Sequence, residues 1–296
     1  ERMSREAFGE TASYEAKIYN YFNHISKQNF SEKLIFNANL IQPLRYGENP
    51  HQIGAIYGNQ KDFNLNKLQG KDLSYNNYND IFAALDMLFS EKKLSSTVII
   101  KHANPCGVSS KKSAFQSFIN AQASDPVSAF GGIVACNFKI NKKIALEINK
   151  TFFEVILAKG FDKNALKILK KKKNMRIIDI SKINYKSETI AKMFNNSFLL
   201  QEKDNIIFDK KKLRFVTKIK PTKKELKEIE FAFRICKYVK SNAIVIVKDN
   251  STIGIGAGQQ NRLDSCKIAT QKARRFQPKK LVSSIAASDA FFPFAD

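Results

Sequence analysis

The 296 residues include no tryptophan, three histidines and four cysteines. The cysteines, Cys106, Cys136, Cys236 and Cys266, stand far apart with no C-x-x-C pair. That spacing excludes zinc ribbons and a thioredoxin-like redox motif, and it reads as reduced thiols of a cytoplasmic protein. No apolar run approaches the roughly 18 residues of a membrane span, and no basic, apolar leader precedes the first helix-like segment, so no membrane association is expected. Glycine is sparse too, at 12 residues. Gly254-x-Gly256-x-Gly258 lacks a third glycine at the dinucleotide-binding offset, and no G-x-x-x-x-G-K-[ST] occurs, which sets aside both common phosphate loops.

Acidic residues are scarce, 27 against 50 basic ones, giving a net charge of +23. Such a balance invites a nucleic-acid reading. Only nine of the basic residues are arginine, however, and the lysines spread over most of the chain. Base readout favours arginine, and diffuse lysine reads as solvated helix faces, so nucleic acid is not expected. A basic cleft would still draw phosphate and carboxylate groups, which favours anionic small molecules.

What is present centres on Ser96-Thr97-Val98-Ile99-Ile100-Lys101-His102-Ala103-Asn104-Pro105-Cys106-Gly107. A β-branched run that stops at a Lys-His pair reads as a buried strand delivering chemistry at its end. In an open α/β sheet ligands collect beyond the carboxyl ends of strands, so catalysis is expected at Lys101 and His102. A lysine cation beside His102 disfavours the imidazolium and leaves a ring able to accept a proton. Composition alone also allows an ordinary solvated loop.

Around this stretch, residues 5–22 show helical apolar spacing and residues 34–42 read as a strand running into Pro43. Prolines and a glycine would fix the following loop, where Arg45 suits bidentate capture of phosphate or carboxylate; a surface arginine in a turn is the alternative. Asn79 or Asp80 is expected to cap a helix at 81–90. Residues 104–113 read as a loop, 114–123 as a helix, and 133–138 as a strand behind Gly131-Gly132. The spacing predicts a helix over 144–157 carrying Glu154. A further helix over 165–176 contains Lys170-Lys171-Lys172-Lys173, either a solvated helix end or a phosphate contact. From 178 to 212 the pattern weakens, and the boundary between two subdomains is placed there. Thr222 and Glu225 form a capping box opening a helix through Lys237. Strands at 243–247 and 252–255 and a helix at 263–274 follow. Asn104-Pro105-Cys106 is similar to half of the deaminase zinc signature, yet Ser109 stands where a second cysteine is required, so no metal is expected. Glu1 in place of methionine, and an end directly behind an aromatic motif, read as two cut ends.

Five blocks, 44–52, 100–107, 124–135, 240–262 and 287–294, together resemble one family. They include Arg45-Tyr46-Gly47, Lys101-His102-Ala103-Asn104-Pro105, Asp125-Pro126-Val127-Ser128-Ala129-Phe130-Gly131-Gly132, Gly258-Gln259-Gln260-Asn261-Arg262 and Ser288-Asp289-Ala290-Phe291-Phe292-Pro293. The family is the AICAR transformylase part of the bifunctional purine-biosynthesis proteins that also carry IMP cyclohydrolase. The resemblance implies an α/β fold of two cytidine-deaminase-like α/β/α subdomains without zinc, at 26–200 and 201–296, the second incomplete at its C-terminal end. Residues 1–25 would be the closing helix of the cyclohydrolase domain with its linker. The implied reaction carries a formyl group from 10-formyltetrahydrofolate, as co-substrate, to the 5-amino group of AICAR ribonucleotide, giving FAICAR without a metal. A cytoplasmic homodimer with shared active sites is implied, as is IMP cyclohydrolase activity elsewhere in the parent protein.

By the same resemblance His102 takes a proton from the amine, Lys101 stabilises the oxyanion or protonates the leaving nitrogen, and Asn242 orients the substrate and His102. Arg45, Tyr46 and Lys173 would hold the nucleotide, chiefly its phosphate, and Glu154 would face the carboxamide or ribose. Gly132, Arg262 and Phe291 would line the substrate pocket; Leu263, Pro293 and Asp296 would line the folate pocket. One departure is Lys159, which follows Ala158 where the family has proline. A basic RNA-associated protein and a non-catalytic nucleotide-binding module are the competing readings.

Overall fold

Helix α1 (Arg2–Ser26) opens the chain, followed by an antiparallel pair, β1 (Asn39–Leu44) and β2 (Gly54–Gly58). The computed structural model describes residues 1–26, 30–59, 63, 65–91, 94–183, 189–206 and 208–291. It divides into two units, Glu1–Phe63 and Asn64–Asp296. In the smaller unit α1 buries only Ala16, while Phe8, Tyr14, Tyr21 and Phe22 are exposed. Pro43 lies inside β1, where a two-stranded ribbon leaves an outer edge that needs no N–H donor.

The larger unit begins with β3 (Asn66–Gln69), α2 (Tyr75–Ser90), the hairpin β4 (Ser95–Lys101) and β5 (Asn104–Lys111), then α3 (Ala114–Ser124) and the one-turn α4 (Pro126–Ala129). Next come β6 (Ile133–Cys136), α5 (Lys142–Ile148), β7 (Val155–Ala158), α6 (Lys163–Leu169) and β8 (Arg176–Asp179). A separate hairpin, β9 (Thr189–Phe194) with β10 (Ser197–Glu202), precedes α7 (Lys223–Cys236), the hairpin β11 (Ile244–Lys248) and β12 (Ser251–Gly256), α8 (Arg262–Phe276), the one-turn α9 (Pro278–Leu281) and β13 (Ile285–Ser288). One sheet takes nine of these strands in the order β13-β11-β12-β5-β4-β6-β7-β8-β3. Among the described strands of this sheet only β6, β7 and β8 are parallel neighbours, so the α/β class holds with a mixed sheet.

One succession occurs twice: helix, hairpin, helix, short proline-opened helix, strand. It runs α2-β4-β5-α3-α4-β6 and again α7-β11-β12-α8-α9-β13, and in each set the last strand pairs with the first strand of the hairpin. Strand residues alternate between faces. Ile99 therefore joins Phe118 and Ala121 on the α3 side, while Val98 and Ile100 serve the face packed by α2, where Ile81, Leu85 and Leu88 are buried. Glycine permits the close approach on the α3 side: a Cβ on Gly107 would lie 1.9 Å from the Ala121 carbonyl oxygen. Gly256 does the same beneath α8, 2.0 Å from the Ser265 oxygen. The two sets meet where β5 lies against β12 with Ser109 opposite Ser251. Hydroxyls fill that joint. Ser109 Oγ and Ser251 Oγ are 2.8 Å apart, Ser117 Oγ donates to the Ser109 carbonyl at 2.7 Å, and the Val108 amide donates to Thr252 Oγ1 at 2.9 Å.

Several expectations need correction. Residues 144–157 are not one helix: α5 ends at Ile148, and Glu154 stands just before β7. A fully apolar run of four residues satisfies a buried parallel strand as readily as a helix, and Val155–Ala158 is wholly buried between β6 and β8. Likewise α6 stops at Leu169, Lys170–Lys173 lie in turns, and Arg176 begins β8. Residues 104–111 are a strand rather than a loop; proline, glycine and serines mask it because its neighbours are hydroxyl-lined and α3 presses on Gly107. Helix α2 starts earlier than expected, capped by Ser74 in a reciprocal box with Asn77, which frees Asp80 for another task. The weakly patterned stretch 178–212 contains the β9-β10 hairpin.

Candidate functional site

Strand β4 ends at Lys101, and the chain turns back at once through His102 and Ala103, both in the left-handed region with φ of 53° and 56°. The turn opens on a cleft of about 460 Å³ lined by residues of both hairpins: Lys101, His102, Pro105 and Cys106 from the first, Ile255 and Ala257 from the second. Below this cleft β5 and β12 are joined by the hydroxyl seam; within it they diverge.

Each side chain at the turn is held from a different element. Lys101 Nζ donates to the Phe130 carbonyl at 2.8 Å. The short helix α4 carries Phe130 into place, and Asp125 caps that helix through the amide and hydroxyl of Ser128, at 2.9 and 2.7 Å. Lys272 of α8 reaches across to Asp125 at 2.8 Å. Burial pushes the Asp125 carboxyl up, but the bonds from Lys272 and Ser128 outweigh burial and hold it below its ordinary value. Behind the turn, Asp80 of α2 accepts from the Ala103 amide at 2.6 Å and from the His102 amide at 3.3 Å. Burial raises Asp80 more than those amides lower it. Burial also pushes the Cys106 thiol up to about 12, so at neutral pH it lines the cleft as a small apolar group and not as a nucleophile.

Asn242 stands at the mouth of β11, on the second hairpin's side. Its Nδ2 donates to the carbonyls of Gln259 and Gln260 at 2.9 and 3.1 Å, and its Oδ1 accepts from Arg262 Nη2 at 2.8 Å. Arg262 also bonds Ser288 Oγ at 2.7 Å and pairs with Asp289. The Arg262 guanidinium thus ties Asn242 to Ser288 and Asp289. The amide of Lys240 donates to Asn104 Oδ1 at 3.2 Å, which joins this segment to the first hairpin. Glu154 accepts from Asn77 Nδ2 at 2.9 Å, and its amide donates to the Gly132 carbonyl at 3.0 Å. Helix α2 therefore holds both Glu154, through Asn77, and the His102 turn, through Asp80.

Arg45 and Tyr46 belong to the smaller unit, where Arg45 Nη2 donates to the Tyr46 hydroxyl at 3.1 Å. Lys173 is exposed in a turn, whereas its neighbour Lys172 bonds the Thr151 carbonyl at 2.8 Å. Leu263 and Phe291 are exposed; Pro293 and Asp296 lie outside the described residues. Sequence reasoning gave no role to Asn77, Asp125, Ser128, Gln259 and Lys272, and gave Asp80 only that of a cap. Local signals existed for Asn77, three residues after the capping serine, and for Asp125, directly before Pro126.

Fold and site together define a class: a mixed-sheet α/β protein with a lysine-histidine turn at the mouth of a cleft shared by two hairpins. The chain belongs to the AICARFT/IMPCHase bienzyme family, whose model matches residues 1–272. It is 44% identical over 298 residues to the bifunctional purine biosynthesis protein PurH of Thermoanaerobacter sp. (strain X514), covering 99% of this chain and 58% of that protein. It is 42% identical over 311 residues to PurH of Parvibaculum lavamentivorans, covering 100% of this chain and 58% of that one. The chain thus spans 58% of the length of these curated relatives.

Proposed function

We propose that this protein transfers a formyl group from 10-formyltetrahydrofolate to the 5-amino group of AICAR ribonucleotide, producing FAICAR in purine biosynthesis. The observation that carries the reading is the Lys101-His102 turn opening on a cleft that both hairpins line. The amine of AICAR is conjugated with its ring and is a poor nucleophile, so its proton must leave as its nitrogen attacks the formyl carbon. His102 lines the cleft, and in this reading it takes that proton. As the tetrahedral centre forms, Lys101 either neutralises the oxyanion or protonates the leaving folate nitrogen when its bond to the formyl carbon breaks. Asn242, pinned by Arg262, orients the amine and the imidazole. No metal is asked of this step.

In the same reading Glu154, with Gly132 beside it, meets the carboxamide or ribose, and Arg45, Tyr46 and Lys173 meet the phosphate. Phe291 stacks on a flat ring, and Leu263, Pro293 and Asp296 meet the folate. The working protein is a cytoplasmic homodimer with shared sites, and its parent carries IMP cyclohydrolase as well. The test is formyl transfer by the full protein, followed as FAICAR formation, with thermal melting alongside. AICAR ribonucleotide is expected to raise the melting temperature. An absence of transfer, or affinity for an RNA oligonucleotide that falls steeply with salt while the nucleotide is ignored, overturns the reading.

A further inference from the structure

Two consecutive residues in the left-handed region turn their amide N–H groups to one side and form a concave anion seat. His102 and Ala103 make such a seat, and a carboxylate fills it: Asp80 Oδ1 accepts from Ala103 at 2.6 Å and Oδ2 from His102 at 3.3 Å. Neither residue is glycine, so the turn holds two side-chain-bearing residues in a conformation that L-residues rarely adopt. Something must hold them there. The second set supplies an internal control. Asp249 and Asn250 make the same turn, with φ of 50° and 51°, and Glu228 of α7 accepts from the Asp249 amide at 3.1 Å. Asp80 and Glu228 each occupy the sixth position of their helix. The fold therefore uses an acidic clamp from the preceding helix at both turns, and only one of the two carries a histidine.

We propose that Asp80 is a positioning residue for the reaction: its carboxylate, seated on the His102 and Ala103 amides, fixes the turn that aims the His102 ring and the Lys101 ammonium into the cleft. Helix α2 adds register to that aim. Asn77, one turn earlier on the same helix, holds Glu154 at 2.9 Å, so one helix fixes both the turn and the Glu154 carboxylate. A displacement of about 1 Å at reacting groups costs about 100-fold in rate. The inference rests on the formyl-transfer reading, and its test separates the two.

In the full wild-type protein, hydrogen exchange at the His102 and Ala103 amides is expected to be protected. Fast exchange at both overturns the clamp without any variant. Asp80→Asn keeps the size and one acceptor, and should lower kcat about tenfold with the KM for AICAR ribonucleotide within twofold. Asp80→Ala should lower kcat about 100-fold and expose both amides to exchange. Glu228→Gln, at the turn without histidine, should speed exchange at Asp249 and leave kcat within twofold. Wild-type kcat in Asp80→Asn and Asp80→Ala, or an equal kcat loss in Glu228→Gln, overturns the positioning role. A wild-type protein that protects both amides yet transfers no formyl group sinks the functional reading and leaves the clamp standing.

Discussion

The turns Lys101-His102-Ala103 and Lys248-Asp249-Asn250 hold the same place in the two repeated sets, yet they sit at opposite ends of the sheet. Each step from β4 through β5 and β12 to β11 is antiparallel, so β4 and β11 point in opposite directions. At the Lys101 end the two hairpins diverge and leave a cleft. At the other end the equivalent space is packed: Asn120 Nδ2 reaches Ser251 Oγ at 3.4 Å, and Ser117 and Ser109 fill the rest. Counted back from Pro126 and Pro278, Asn120 and Lys272 occupy the same place, one closing the joint and the other lining the cleft. The lesson is that one backbone device supports either chemistry or cohesion, according to what fills the gap between the hairpins.

The two ends should differ most at their turns. His102→Ala should slow formyl transfer by about 100 to 10,000-fold, and Asp249→Ala should leave it within twofold; equal losses would show that the ends are not functionally distinct. Cohesion is tested next. At the packed end, Arg234 of α7 grips Glu91 at the end of α2 with bonds of 2.7 and 3.1 Å, and Ser110 Oγ donates to the same carboxylate at 3.0 Å. Removing the guanidinium leaves a buried charge, so Arg234→Ala should cost about 3 to 5 kcal/mol in urea unfolding, against under about 1 kcal/mol for Arg2→Ala in its exposed pair with Glu6. A loss no larger for Arg234 would place the cohesion elsewhere. Gly107→Ala should cost about 1 to 3 kcal/mol, because its Cβ would meet backbone oxygen and α3 would have to shift; an unchanged denaturation midpoint would contradict that packing.

The smallest effect concerns acid. Asp125 is held below its ordinary 3.8, so its contribution to stability is full above that value and is lost as pH falls through the folded value. Asp80 is raised and acts with the opposite sign, its ionisation costing stability as pH rises through the ordinary carboxylate range. Asp125→Asn should therefore flatten the stability profile below 3.8, read as denaturation midpoints against pH, and an acid limb identical to wild type would mean the Lys272 bridge does not link the two sets.

Legibility in the sequence followed locality. The run Thr97 to Ile100 and the capping box of Thr222 with Glu225 were readable because periodicity and capping act over a few residues, and the Lys101-His102 pair stood out by chemistry. Strand β5 was hidden because its partners, and not its composition, make it a strand. Glu154 was misplaced on a helix because an apolar run of four carries no period. Asp80 looked like a cap, whereas its partners are the His102 and Ala103 amides, more than twenty residues away in the chain. The hold of Arg262 on Asn242, across 20 residues, likewise left no local mark.

The seam of hydroxyls between β5 and β12 bears on assembly errors. A chain built from two similar sets runs the risk of pairing the wrong strands, within itself or with a second copy. Sliding β12 by two residues would set Ser109 against Ile253, leaving Ser251 and Thr252 to find new partners in a fully buried layer. Each stranded hydroxyl costs about 1 to 3 kcal/mol. The seam therefore works as a key with one fitting, and it makes slipped or swapped dimers of this sheet poor competitors during folding.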